Sequence, residues 1–128
     1  VLNRENALKW VAALRSGDYE QTQGGLRDTL GYCCLGVACE VAIQSGVQIE
    51  VTEPPELVPQ VSWKYNGMSG TLPLVVMDWL GVDDEFQEDC IGWNDSNEFD
   101  FDRIAENIES VIPPLPNTIT VKSEGNAL

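Results

Sequence analysis

The amino-acid sequence predicts an α+β fold: one small domain of about four helices with a small, mostly antiparallel sheet. Three observations point there. The chain has 128 residues, 43% of them hydrophobic, which suits one domain with one core. Apolar residues recur at helical spacing within residues 7–14, 33–44 and 101–112. Between these runs lie short alternating stretches bounded by Gly, Pro and Asn-Gly, the pattern of brief strands joined by turns.

Asn3 is placed to cap the first helix, with Glu5 in its first turn. Ala7, Leu8, Val11, Ala12 and Leu14 follow, and Ser16-Gly17 ends the run, Gly17 suiting a left-handed C-terminal position. From Asp18 to Arg27 the pattern reads as extended, with Tyr19, Gln21 and Gln23 on one face until Gly24-Gly25 breaks it. Asp28 to Gly31 reads as a turn. Cys33 to Gln44 reads as a helix buried on most sides, closed by Ser45-Gly46.

Val47, Ile49 and Val51 alternate as one short strand, and Val61, Trp63 and Tyr65 as another that ends at Asn66-Gly67. The prolines of EPPELVP make residues 53–59 a loop. Pro73 suits the first turn of a short helix to Leu80, with Gly81 after it. DDEFQED reads as an acidic loop, and Ile91 to Trp93 as a short strand ended by Asn94-Asp95. Asp100 caps a last helix, on which Phe101, Ile104, Ala105, Ile108 and Ile112 share a face until Pro113-Pro114 stops it. The domain is thus expected to span residues 1–113, with 114–128 as a C-terminal tail.

The net charge is −14. Residues 1–30 are balanced, with Glu5, Asp18, Glu20 and Asp28 against Arg4, Lys9, Arg15 and Arg27. Residues 78–109 hold twelve acids and one base, Arg103. Such a region repels phosphate backbones and argues against direct nucleic-acid binding. It suits either a solvated face or one that occupies a basic surface on another protein. No run has the length of a membrane-spanning helix, and VLNRENALKW lacks a signal-type apolar stretch, so the expected setting is a reducing cytosol without membrane contact.

The string GYCCLGVAC holds Cys33, Cys34 and Cys39; Cys90 is the fourth cysteine. A zinc site wants paired ligands or histidine, and the chain has no histidine. Adjacent helical residues point about 100° apart, so Cys33 and Cys34 converge poorly on one ion. A vicinal disulfide would be strained. Cys33, at the start of a helix, meets one condition for a reactive thiolate, with Arg15 or Arg27 as a candidate cation, but the usual histidine base is absent. Free cysteine packs as a small hydrophobe, and with Gly36 and Ala38 it makes a slim helix that neighbours can approach closely. Packing is therefore the expected role; no catalytic residue, metal or cofactor is assigned.

The blocks KWVAALRSGDYEQTQGGLR and GYCCLGVACE, followed by GWNDSNEFDFDRIAENIE, resemble a family of small proteins encoded by phages and prophages. The likeness covers residues 9–39 and 91–109, with a weaker echo in LPLVVMDWLGV. It implies a viral or prophage origin and a set of motif positions, without giving those positions roles.

Among the motif positions, Arg15, Tyr19, Gln21 and Arg27 offer hydrogen bonding from one half of the chain, and Asn94 and Asp95 from the other. If the halves meet, these six form a candidate ligand-binding pocket for a small anionic or nucleotide-like ligand, with both arginines on its charges. The alternative is structural, each polar group bonding nearby backbone. Asp95, Asn97, Asp100 and Asp102 are spaced like calcium ligands, but the EF-hand glycine is missing and Phe99 breaks the ligand pattern.

The functional expectation is a phage-encoded acidic accessory protein in the host cytoplasm. It binds a host or defence component, either a protein or a small signalling ligand, without catalysis. The rivals are a virion structural protein, suggested by the polar tail, and a cysteine-dependent enzyme. Homo-oligomerisation is left open.

Overall fold

A computed structural model describes residues 1–56, 61–96 and 98–114. All but the first residue of the expected C-terminal tail and the end of the proline loop lie outside these residues. Among the described residues, five helices and one two-stranded antiparallel sheet form a single small α+β domain.

Helix α1, Arg4–Arg15, begins where the Asn3 side chain accepts the Asn6 amide at 3.0 Å. It ends at Ser16, and Gly17 turns the chain with φ +82°. Ala7, Trp10, Val11 and Leu14 form its buried stripe. The indole N–H of Trp10, wholly buried, donates to the Cys34 carbonyl at 2.9 Å and ties α1 to the next helix.

The segment from Asp18 to Arg27 departs from the expected extended structure. It forms only isolated bridges, with the Thr22 amide on the Tyr32 carbonyl and the Tyr32 amide on the Glu20 carbonyl, each at 2.8 Å. The physical reason is Leu26, fully buried, which pulls the segment inward as a loop. Its own amide donates to the Ser69 carbonyl, and its carbonyl accepts the Cys33 amide. The Asp28 turn forms as expected, its carboxylate accepting the amides of Leu30 and Gly31 at 2.8 and 3.1 Å.

Helix α2, Cys34–Gln44, is the centre of the domain and packs against α1 and two later helices. Every residue from Cys33 to Cys39 is buried. Gly36 faces the Leu26 carbonyl so closely that a Cβ there would lie 1.8 Å from the oxygen. The slim helix is what lets the Leu26 loop reach the core.

Strands β1, Val51–Thr52, and β2, Lys64–Tyr65, pair antiparallel, Val51 opposite Tyr65. Both are shorter than the alternating patterns suggest. Beyond β2 the turn is built by Asn66 at φ +53° and Gly67 at φ +83°, with Tyr65 and Met68 exchanging both backbone bonds. Helix α3, Leu74–Leu80, follows Pro73 and stops at Gly81, φ +76°. The Asn3 amide donates to the Leu80 carbonyl at 2.7 Å, closing the start of the chain onto this helix end.

Helix α4, Asp84–Asp95, replaces the expected acidic loop and short strand. The Asp83 carboxylate caps it on the Phe86 amide at 2.8 Å, and Asp84 and Glu85 stand in its first turn, where the helix dipole favours acids. Its buried stripe is Gln87, Cys90 and Asn94, a true helical spacing in which two of the three residues are polar. Helix α5, Phe101–Glu109, is capped by Asp100 on the Arg103 amide and packs along α1 through Phe101, Ile104, Ala105 and Ile108.

Candidate functional site

The two halves of the motif set meet at Asn94, 1% exposed near the end of α4. Its side-chain oxygen accepts the Cys34 amide at 3.2 Å and the Gln21 amide group at 3.1 Å. Its Nδ2 donates to the Thr22 carbonyl at 2.7 Å. Gln21 also donates to the Phe99 carbonyl at 2.9 Å. The Asp95 carboxylate accepts the Gly24 amide at 3.3 Å. One buried amide thus joins the start of α2, the 18–32 loop and α4. Its polar atoms are spent on protein partners.

Beside this junction Gly24, Gly25, Cys33, Cys34, Asn94 and Asp95 line a pocket of about 50 Å³, room for ordered water rather than an organic ligand. The other three expected contributors lie elsewhere in their bonding. Arg15 pairs with Glu109 at 3.0 Å, and the hydrogen bond from its guanidinium holds the Glu109 carboxyl below its ordinary range. The Tyr19 ring meets Tyr32 edge-on at 5.1 Å, and its hydroxyl accepts the Gln44 amide group at 3.1 Å. The Arg27 guanidinium stacks 4.4 Å from the Trp63 ring and 5.0 Å from Tyr32.

Arg15, Tyr19 and Gln21 do share an open depression of about 300 Å³, but Glu20, Asp100 and Asp102 line it with them. Arg27 lines neither this depression nor the small pocket. The structure therefore brings Gln21, Asn94 and Asp95 into one bonded cluster and leaves the two arginines with separate partners.

All four cysteines are buried and free. Cys33 is the N-cap of α2, its sulfur accepting the Gly36 amide at 3.4 Å. Burial pushes its thiol up, more than that amide and its neighbour pull it down. The adjoining Cys90 thiol, then burial, raise Cys34, and burial raises Cys39. These shifts oppose a thiolate nucleophile. Among the described residues no cluster of three His, Cys, Asp or Glu side chains could hold a metal. Of the calcium-like set, Asp100 and Asp95 bond helix and loop amides, and Asn97 lies outside the described residues.

Other buried polar groups escaped the sequence reading. Gln87, 5% exposed, accepts the Leu72 amide and ties the entry of α3 to the middle of α4. The Tyr65 hydroxyl donates to Glu40 at 2.7 Å. The spacing of Gln87, Cys90 and Asn94 was the only available signal for the first.

No curated protein and no solved structure matches the chain. Residues 2–91, from α1 through most of α4, match the family model described as Domain of unknown function (DUF8296), and the chain belongs to that family.

Proposed function

We propose that this chain is a phage- or prophage-encoded acidic accessory protein that binds a basic surface of a host or defence protein, in the host cytoplasm and without catalysis. The observation that carries this reading is the outward face of α4. Asp84, Glu85, Glu88 and Asp89 are all exposed there, at positions that recur on one side of the helix. Arg103, the one base in residues 78–109, is itself engaged, near Glu106 at 3.6 Å and Phe99 at 5.2 Å. A single-signed face of this kind steers oppositely charged partners and repels nucleic acid. The viral resemblance of the Cys-Cys and Asn-Asp blocks supplies the setting.

A small anionic ligand is the weaker form of the binding reading. Its expected donors are spent on Glu109, Trp63 and Asn94, and the depression beside Arg15 carries three carboxylates. A cysteine enzyme fits less well still, with every thiol buried.

The test is affinity capture from host lysate at low salt, with wild-type protein beside the variant Asp84→Asn, Glu85→Gln, Glu88→Gln, Asp89→Asn. The expected result is a defined protein partner, identified by mass spectrometry, that the neutralised variant loses. Equal capture by both proteins overturns the reading.

A further inference from the structure

The sequence contains one Asn-Gly step, Asn66-Gly67. The fold displays it at the tip of the turn after β2, where both residues are exposed. Nothing lies within 4 Å of where a Cβ on Gly67 would stand. The Asn66 and Met68 amides on either side donate to the Glu50 and Tyr65 carbonyls at 2.7 and 3.0 Å, but the Gly67 amide has no acceptor among the described residues. An unbonded amide nitrogen with no side chain beside it is well placed to react with the side chain of the asparagine before it. The native turn opposes that reaction. Asn66 stands in left-handed backbone at φ +53°, and its side-chain oxygen accepts the Glu50 amide at 2.8 Å.

We infer that Asn66 is a site of hydrolytic deamidation, gated by release of its side chain from Glu50 when this end of the sheet opens. Each strand is two residues long, so opening costs little. In the opened turn the Gly67 nitrogen bonds to Asn66 Cγ, and the bond from Cγ to the side-chain nitrogen breaks. The Gly67 amide proton leaves with that nitrogen as ammonia, and a cyclic imide remains. Water then adds to one of the imide carbonyls and breaks its bond to nitrogen, giving aspartate or isoaspartate; no atom is oxidised or reduced. The products differ in consequence. Aspartate keeps an oxygen where Asn66 accepts the Glu50 amide. Isoaspartate routes the main chain through the former side chain and lengthens the turn, so Tyr65 and Met68 lose the pair of bonds that a two-residue turn allows.

The test incubates the full chain at neutral pH, folded in buffer and unfolded in urea. Peptide mapping by mass spectrometry, with fragmentation that separates aspartate from isoaspartate, follows Asn66. Asn3, Asn6, Asn94 and Asn107, none of them followed by glycine, serve as internal controls. Conversion is expected at Asn66 in both samples, slower in the folded chain by about ten-fold or more, because only the opened fraction reacts. Val51→Gly, which weakens β1 opposite Tyr65, should raise the folded rate toward the unfolded one. Circular dichroism confirms that this variant is folded. Amide exchange at Tyr65 and Met68 should be faster in the isoaspartate fraction than in Asn66→Gly, a residue that suits left-handed backbone and cannot deamidate.

Equal rates in the folded and unfolded chains, or a folded rate that Val51→Gly leaves unchanged, overturn the gate. No conversion of Asn66 in the folded chain after prolonged incubation, or conversion there no faster than at the control asparagines, overturns the site itself.

Discussion

The Asn94 side-chain oxygen accepts the backbone amide of Cys34 at 3.2 Å, across 60 residues of chain. That bond satisfies a donor at the first turn of α2 that the helix itself leaves unpaired. Two further bonds from the same amide group, to Gln21 and Thr22, turn it into the junction of three elements.

Asn94→Ala should therefore destabilise the fold by about 2–4 kcal/mol, because it strands the Cys34 amide and the Thr22 carbonyl in the interior. Urea unfolding followed by tryptophan fluorescence measures this. A loss no larger than that of an exposed-site substitution would show that water replaces the amide freely.

Gly36→Ala tests the close approach of α2 and the Leu26 loop. A methyl group there would lie 1.8 Å from the Leu26 carbonyl oxygen, so backbone must move. The expected cost is about 2 kcal/mol, in the range of overpacked cores, even though alanine is the better helix former. An unchanged midpoint in thermal unfolding would refute the contact.

The thiols set a pH dependence. Burial holds Cys33 and Cys39 protonated above their ordinary range, and the adjoining Cys90 thiol together with burial does so for Cys34. In the unfolded chain these thiols ionise from about pH 8.5, so above that value the unfolded state binds fewer protons than the native state. Stability should then fall as pH rises, by up to about 1.4 kcal/mol per pH unit for each such thiol. Below about pH 7 the thiols contribute almost no slope. Denaturant midpoints from pH 7 to 10, with reductant present, report the trend, and a flat profile above pH 8.5 would contradict it. The same burial predicts slow iodoacetamide labelling at neutral pH that becomes fast in denaturant.

The two arginines should behave oppositely. Arg27→Lys loses a planar cation stacked between Trp63 and Tyr32, at a cost of about 1–2 kcal/mol. Arg15→Lys keeps a charge beside Glu109 at an exposed pair, and the unfolding midpoint should not move. Equal losses at both positions would mean that the Arg27 stack is not a source of stability.

The contrast between these elements shows what was legible in the residues. Helices α1, α2 and α5 could be read because their information is local. Asn3, Cys33 and Asp100 stand at the caps, and the buried stripes of α1 and α5 are apolar at helical spacing. The Asn66-Gly67 turn was legible for the same reason, since left-handed backbone favours those two residue types. The candidate site was legible in part. Gln21, Asn94 and Asp95 meet as the motif suggests, while Arg15 and Arg27 bond away from them.

By itself, then, the sequence determined the capped helices, the tight turn, the single core and the charge imbalance, all of which follow from neighbouring residues or from composition. Only the tertiary structure decided that residues 84–95 form a helix and that residues 18–32 fold inward as a loop. The reason is that α4 buries Gln87 and Asn94, and a buried polar side chain is favourable only once its partners have arrived. Those partners are the Leu72 and Cys34 amides and the Thr22 carbonyl, contributed by elements far away in the chain.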